Sequence, residues 1–287
     1  MAVLLALRDE IPLELLPPEM PTIDGLQPKQ SMTDGREITY VSAPMEVSMA
    51  DKWYEIATVE HFWIRRRFEV LRKLAGDLIS SAKEIAEIGC GNGLLQRQIE
   101  DAYGRPVVGC DLNEYALKRN LSRQSPILCY DIFEKSKTLE KRFDVIFLFD
   151  VLEHITGEAA FLDALKFHLA PAGRIVVNVP AGQWAYSAYD VAAGHVRRYS
   201  IQRLREAIEP LNLNIERWSY WGLPLVPPLV LRKAWLWGQS DKDRIISQGF
   251  DSRNRFIDQC LHFLSECEPI PQKILGTSLL AVLQANG

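Results

Sequence analysis

Three glycines in Glu87-Ile88-Gly89-Cys90-Gly91-Asn92-Gly93 stand where an apolar stretch, Ile85-Ala86, gives way to a helical pattern over 94–102. Glycine suits such a turn because the backbone bends with positive φ and a ligand approaches without a Cβ in the way. The helix start adds free N–H groups that can meet a polar ligand. Asp111, Asp131 and Asp150 each close an apolar stretch that reads as a strand. Ligands of open α/β sheets bind beyond the carboxyl ends of the strands, so the turn and the three acids predict one crevice. The pattern is G-x-G-x-G, with Leu94 where a dinucleotide fingerprint places its third glycine, and no Gly-Lys-Ser/Thr follows. Both a dinucleotide site and a P-loop are therefore disfavoured. His195 and His154 are the candidate general bases, since imidazole titrates near neutrality and a base must reach the proton it removes. The alternative for His154 is a structural role, and for His195 and Arg198 it is bracing of their loop.

Strands and helices alternate around these residues. Strands are predicted at 84–88, 107–110, 127–130, 143–149, 174–179, 213–220 and 278–283, with helices over 94–102 and 158–169. Asn113 and Ser200 are the expected N-caps of two more helices, and Pro171-Ala172-Gly173 reads as a turn. Such alternation specifies a mostly parallel sheet with helices on both faces. Ahead of it, Ile64, Phe68, Leu71, Ala75 and Leu78 form one helical stripe within 49–80. Residues 1–48 carry Pro12, Pro17, Pro18, Pro21 and Pro28 and read as an extended or partly disordered arm. The domain proper is expected at 49–287.

The chain of 287 residues has 47% hydrophobic residues and a net charge of -4. That is enough apolar material for one large core, and the acidic balance disfavours nucleic acid as a partner. Five cysteines, Cys90, Cys110, Cys129, Cys260 and Cys267, show no ligand spacing, so no metal is expected and a reducing cytoplasm is. The start of the chain does not read as a signal peptide, and no apolar run is long enough to span a bilayer.

The E-x-G-x-G-x-G run resembles motif I of the class I S-adenosylmethionine (SAM)-dependent methyltransferases. The run 143–155, ending Asp150-Val151-Leu152-Glu153-His154-Ile155, resembles the stretch that follows motif II in the type 11/12 group. Gly194-His195-Val196-Arg197-Arg198-Tyr199-Ser200 and His61-Phe62-Trp63-Ile64-Arg65-Arg66-Arg67 resemble two further segments of that group. The resemblance implies a Rossmann-like, seven-stranded sheet with an antiparallel last strand and an N-terminal helical cover. It implies SAM as cofactor and S-adenosylhomocysteine as product. Glu87, Gly89, Cys90, Gly91 and Gly93 would line the methionine part and Asp111 the ribose hydroxyls. Leu112, Asp131 and Ile132 would flank the adenine, and Asp150 would lie near the methionine ammonium. His61, Trp63, Arg67, Tyr186, Tyr189, Arg198 and Tyr199 would contact the acceptor. The arginines of these segments would favour an acceptor bearing carboxylate or phosphate.

Residues 222–275 depart from the group, which has a short hairpin there. A segment of this length is expected to be a lid, a homodimer surface or a membrane-surface patch. The implied activity is methyl transfer to an O or N atom of a small-molecule acceptor, a natural product or a sugar-derived metabolite. The rival readings are an RNA or protein methyltransferase and a SAM-binding protein without turnover.

Overall fold

A computed structural model describes residues 30–31, 36–47, 51–250 and 255–285. The rest of the arm, 1–29, 32–35 and 48–50, lies outside the described residues. In chain order the elements are β1 (Gln30–Ser31), β2 (Glu37–Tyr40), α1 (Asp51–Ile56), α2 (Phe62–Ser81), β3 (Ile85–Ile88), α3 (Leu94–Tyr103), β4 (Val108–Asp111) and α4 (Glu114–Leu117). Next come β5 (Ile127–Cys129), β6 (Phe143–Phe149), α5 (Glu158–His168), β7 (Leu169–Pro180), α6 (Ala188–Ala193) and α7 (Ile201–Ile208). The last are β8 (Leu213–Trp221), α8 (Val226–Trp235), α9 (Lys242–Phe250), α10 (Arg255–Glu266) and β9 (Ser278–Ala285).

The strands form one sheet in the order β1-β2-β5-β4-β3-β6-β7-β9-β8. From β2 to β7 neighbours run parallel, and β9 lies antiparallel between β7 and β8. The chain winds outward from β3 in both directions, so the crevice between β3 and β6 is the topological switch point where such sheets bind ligands. The run Phe143-Asp144-Val145-Ile146-Phe147-Leu148-Phe149 is almost wholly buried because helices cover both faces. On one face Phe161, Leu165, Leu204 and Ile208 of α5 and α7 pack against Ile146 and Leu148. On the other, Val70, Leu71, Leu74 and Ile79 of α2 and Leu95 and Ile99 of α3 pack against Val145, Phe147 and Phe149.

All seven expected strands are present. The sheet is larger than expected, however, because β1 and β2 extend it at the β5 edge. The arm therefore contributes to the sheet. Its four-residue strand is too short for the period-2 signal to stand out beside five prolines. The turn expected at Pro171-Ala172-Gly173 is an excursion within β7: register passes from Phe143 opposite Leu169 to Val145 opposite Arg174. Asn113 caps α4 as expected, its side chain accepting from the Ala116 N–H, but α4 lasts only four residues. Ser200 caps α7 through the Arg203 N–H.

Among the described residues, 222–275 hold a 3-10 turn at Leu223–Leu225 and the α-helices α8, α9 and α10. Pro227 and Pro228 sit in the first turn of α8, where a missing N–H costs nothing because those groups have no helical partner. Leu236, Ile245 and Ile246 pack on Tyr189, Ala192 and Ala193 of α6, with Trp53 and Ile56 of α1 alongside. The Phe62 N–H at the start of α2 donates to Asp258 of α10 at 3.2 Å. Glu268 accepts from the Gly222 and Leu223 N–H groups and pairs with Arg66. The segment thus closes over the carboxyl ends of the strands as a roof. Among the described residues no helix is long and apolar enough to cross a membrane.

Candidate cofactor and acceptor site

The three glycines of the first turn carry positive φ: 74° at Gly89, 52° at Gly91 and 74° at Gly93, the N-cap of α3. A Cβ on Gly89 would come within 2.3 Å of Val151, and one on Gly91 within 2.9 Å of the Tyr54 ring. Chain direction and close packing therefore both require glycine at these two positions. Asp111, at the end of β4, ties the turn to its neighbour: Oδ2 accepts from the Gly91 N–H and Oδ1 from the Asn113 N–H, both at 2.8 Å. Each oxygen keeps a free lone pair for a ligand hydroxyl. Burial pushes its carboxyl up, against those backbone bonds.

Glu87 is buried within β3, and its Oε2 has no hydrogen-bond partner. Burial, opposed by Arg67 and reinforced by the charges of Asp111 and Asp150, pushes its carboxyl up to about 8. Three carboxyl groups converging on one turn suit a cation. SAM, whose sulfonium and ammonium are both positive, fits this donor set and the orphaned Glu87 oxygen. Cys90 is buried beside them, and burial first, then Asp111 and Glu87, raises its thiol. Leu112 packs against the cluster of Ile38, Leu117 and Ile127. Asp131 caps a short turn through the Phe133 N–H at 2.9 Å, and its own N–H donates to Ser42. Ile132 is buried in the core below.

Asp150 ends β6 with φ 57°, a left-handed conformation that Asp tolerates better than most residues. Its Oδ2 accepts from Arg67 at 2.5 Å and its Oδ1 from Asn178 at 2.8 Å. Asn178 in turn accepts from the Trp221 indole N–H at 2.9 Å. Arg67 is buried between the Trp63 and Phe149 rings, 5.2 Å from each centroid. It is absent from the cavity wall, so its expected acceptor contact gives way to a role in holding Asp150.

A cavity of about 660 Å³ opens beyond Asp150. Asp150, Glu153, His195 and Arg198 supply its polar end, and Trp53, His61, Trp63 and Tyr189 line its sides. Leu225, Leu229 and Trp235 from the roof complete it. His195 Nδ1 lies 2.9 Å from Asp190 Oδ1, and its Nε2 lies 3.9 Å from Glu153 Oε1. Arg198 also reaches Asp190, at 2.7 and 3.2 Å. Burial acts to raise the Asp190 carboxyl, but the His195 hydrogen bond and the Arg198 charge outweigh it and hold it down at about 2. Asp190 is therefore an acceptor at any ordinary pH, which leaves the proton on His195 Nδ1 and the lone pair on Nε2. Glu153 is the reverse case: burial and the Asp150 charge raise its carboxyl well above the usual range, and its Oε2 has no partner.

Three expectations change here. His154 lies edge-on to His195 at 4.9 Å and is not on the cavity wall. Burial, aided by His195, lowers its imidazole to about 3, and the packing against His195 agrees with the structural alternative weighed for it. Tyr199 is fully buried and donates to Glu158 at 2.5 Å, away from the cavity. Tyr186 donates to the His195 carbonyl at 2.7 Å and braces that loop. The arginines are also committed elsewhere, Arg67 to Asp150, Arg197 and Arg203 to Glu158, and Arg198 to Asp190. Arg197, Arg198 and Arg203 also line a second, smaller pocket with Gln183 and Ser200.

Asp190, Glu153, Asn178 and Trp221 were not expected in the site. Asp190 carries one legible signal, a Ser187-x-x-Asp190 capping box just ahead of the His195 segment. The ligand atoms of Glu153, His154 and His195 lie within 4.8 Å of one another, a grouping close enough for a metal ion that sequence spacing did not reveal.

A doubly wound sheet with a glycine turn and strand-end acids at its switch point, opening on a chamber, is the architecture of a cofactor-dependent transferase of the class I type. Residues 59–217 match the family described as "Methyltransferase domain", and the chain belongs to that family of SAM-dependent enzymes. It is 31% identical over 123 residues to a ubiquinone biosynthesis O-methyltransferase of Idiomarina loihiensis, covering 40% of this chain and 49% of that one. It is 25% identical over 121 residues to the chloroplastic tocopherol O-methyltransferase of Arabidopsis thaliana, covering 38% and 35%. The matches thus span about half or less of these relatives. The solved [4+2]-cyclase SpnF superposes with a TM-score of 0.54 at 11% identity, over 85% of this chain and 99% of that one. At that identity the likeness is one of fold alone.

Proposed function

We propose that this chain is a SAM-dependent O-methyltransferase acting on a small, largely apolar natural product, with His195 as the general base. The observation that carries this reading is the Asp190–His195 pair, which leaves a basic Nε2 in the cavity that begins at Asp150. SAM, when bound, supplies an electrophilic methyl group for SN2 transfer. The chain's own residues do the rest. Asp150 meets the cationic methionine end of the cofactor and Asp111 its ribose, and the roof keeps water from the chamber. His195 Nε2 takes the acceptor's hydroxyl proton, Nδ1 keeps its proton toward Asp190, and the imidazolium formed is stabilised by that carboxylate. Alignment of the acceptor by the aromatic side walls supplies much of the rate.

Oxygen is the acceptor atom of this reading because relatives are named for ubiquinone and tocopherol O-methylation. The apolar walls favour a natural product over a sugar-derived metabolite. We assign the protein to the cytoplasm on its five free cysteines. A labelled-methyl screen over phenolic, sugar, peptide and RNA acceptors tests the proposal. Transfer to phenols alone is expected, and transfer confined to peptide or RNA would reject it.

A further inference from the structure

The cavity is chemically lopsided. Asp150, Glu153, His195 and Arg198 gather at the cofactor end, and the other charged group of the lining, Arg232 of α8, stacks over the Tyr189 ring at 4.1 Å. Toward solvent it runs between Leu229, Leu231 and Trp235 of α8 and Ile257 and Leu261 of α10. Leu231, Trp235 and Ile257 both line the cavity and remain 70%, 61% and 48% exposed, so they form its mouth. Trp237 just past α8 and Phe256 of α10 are exposed too, at 82% and 70%. A pocket built to enclose a compact acceptor has polar groups where it meets water, whereas a contiguous apolar path leaving a pocket marks a surface that something apolar covers. At the inner end the partnerless Glu153 Oε2, in a side chain only 1% exposed, is a buried polar atom in want of a ligand group.

We infer that the acceptor is amphipathic: its hydroxyl head lies against Glu153 and His195, and a linear hydrocarbon tail leaves between α8 and α10 across Leu231, Trp235 and Ile257. This rests on the cavity being the acceptor site. It also gives residues 222–275 one task, that of a tail channel. Each methylene buried along the channel tightens binding about fourfold at full burial, and less where the tail meets the half-exposed mouth.

The test uses the full chain saturated with S-adenosylhomocysteine and a calorimetric titration with 4-alkylphenols from ethyl to octyl. The octyl compound is expected to bind at least about tenfold tighter than the ethyl one. Leu231→Asp and Ile257→Asp are expected to abolish most of that ratio while leaving S-adenosylhomocysteine affinity, which reports an intact fold, unchanged. An affinity independent of tail length, or the same ratio in both variants, overturns the inference. Failure of S-adenosylhomocysteine to bind strikes instead at the proposed function, so the two failures are distinguishable.

Discussion

Asp190 shows how one side chain sets the state of its neighbours. Held ionised by His195 and Arg198, it fixes which nitrogen of His195 faces the chamber. His195→Ala is expected to lower kcat by about 10²- to 10⁴-fold, with S-adenosylhomocysteine affinity by calorimetry unchanged. An unaltered kcat would reject His195 as base. Asp190→Asn tests orientation separately: it should lower kcat while shifting the pH profile, because the Nδ1–H loses its anionic acceptor. Asp111→Ala removes the proposed ribose partner and the acceptor of the Gly91 N–H, and should weaken S-adenosylhomocysteine binding by about 10- to 100-fold. Glycine turn, strand-end acids and His195 were all legible because each sits in a local pattern. The partners Arg67–Asp150 and Asp190–Arg198 were not, since nothing in a linear spacing says which buried charge will meet which.

Among the elements, α1 and the roof decide access. Tyr54 of α1 packs on Gly91, and its carbonyl accepts from the Asn92 side chain at 3.4 Å. Gly91→Ala would force a Cβ into that ring at a backbone φ of 52°. It should destabilise the fold by about 1–2 kcal/mol and weaken S-adenosylhomocysteine binding as α1 is displaced; denaturant melts and calorimetry check the two effects. Core strands such as β6 were readable because burial on both faces demands an uninterrupted apolar run. The short strand β2 was not, because it takes its order from pairing with β5. The closure of residues 222–275 over the site depends on contacts with α1, α2 and α6.

For the whole molecule, buried carboxyls shape the pH response. Glu87 is raised in the folded state from an ordinary value near 4.5 to about 8. The folded protein therefore holds a proton that the unfolded chain releases, and this contribution is full below 4.5 and lost as pH rises through 8. Glu87→Gln should remove that loss: its Tm should exceed that of the wild type by several degrees at pH 8.5 and converge with it near pH 5. Equal Tm values at both pH values would refute the buried-proton assignment. Asp190 works in the opposite direction. Depressed to about 2, it stabilises above the ordinary carboxylate range and loses that effect as pH falls toward 2.

By itself the sequence determined the alternation of strand and helix, the glycine bend and the acids at strand ends. Each is set by period, backbone sterics or side-chain chemistry within a few residues. Tertiary structure alone decided that β1 and β2 join the sheet, that Arg67 serves Asp150, and that His195 faces the chamber while His154 lies behind it. It also decided that residues 222–275 cover the site. Those outcomes depend on which distant surfaces exclude water together, and local periodicity carries no record of that.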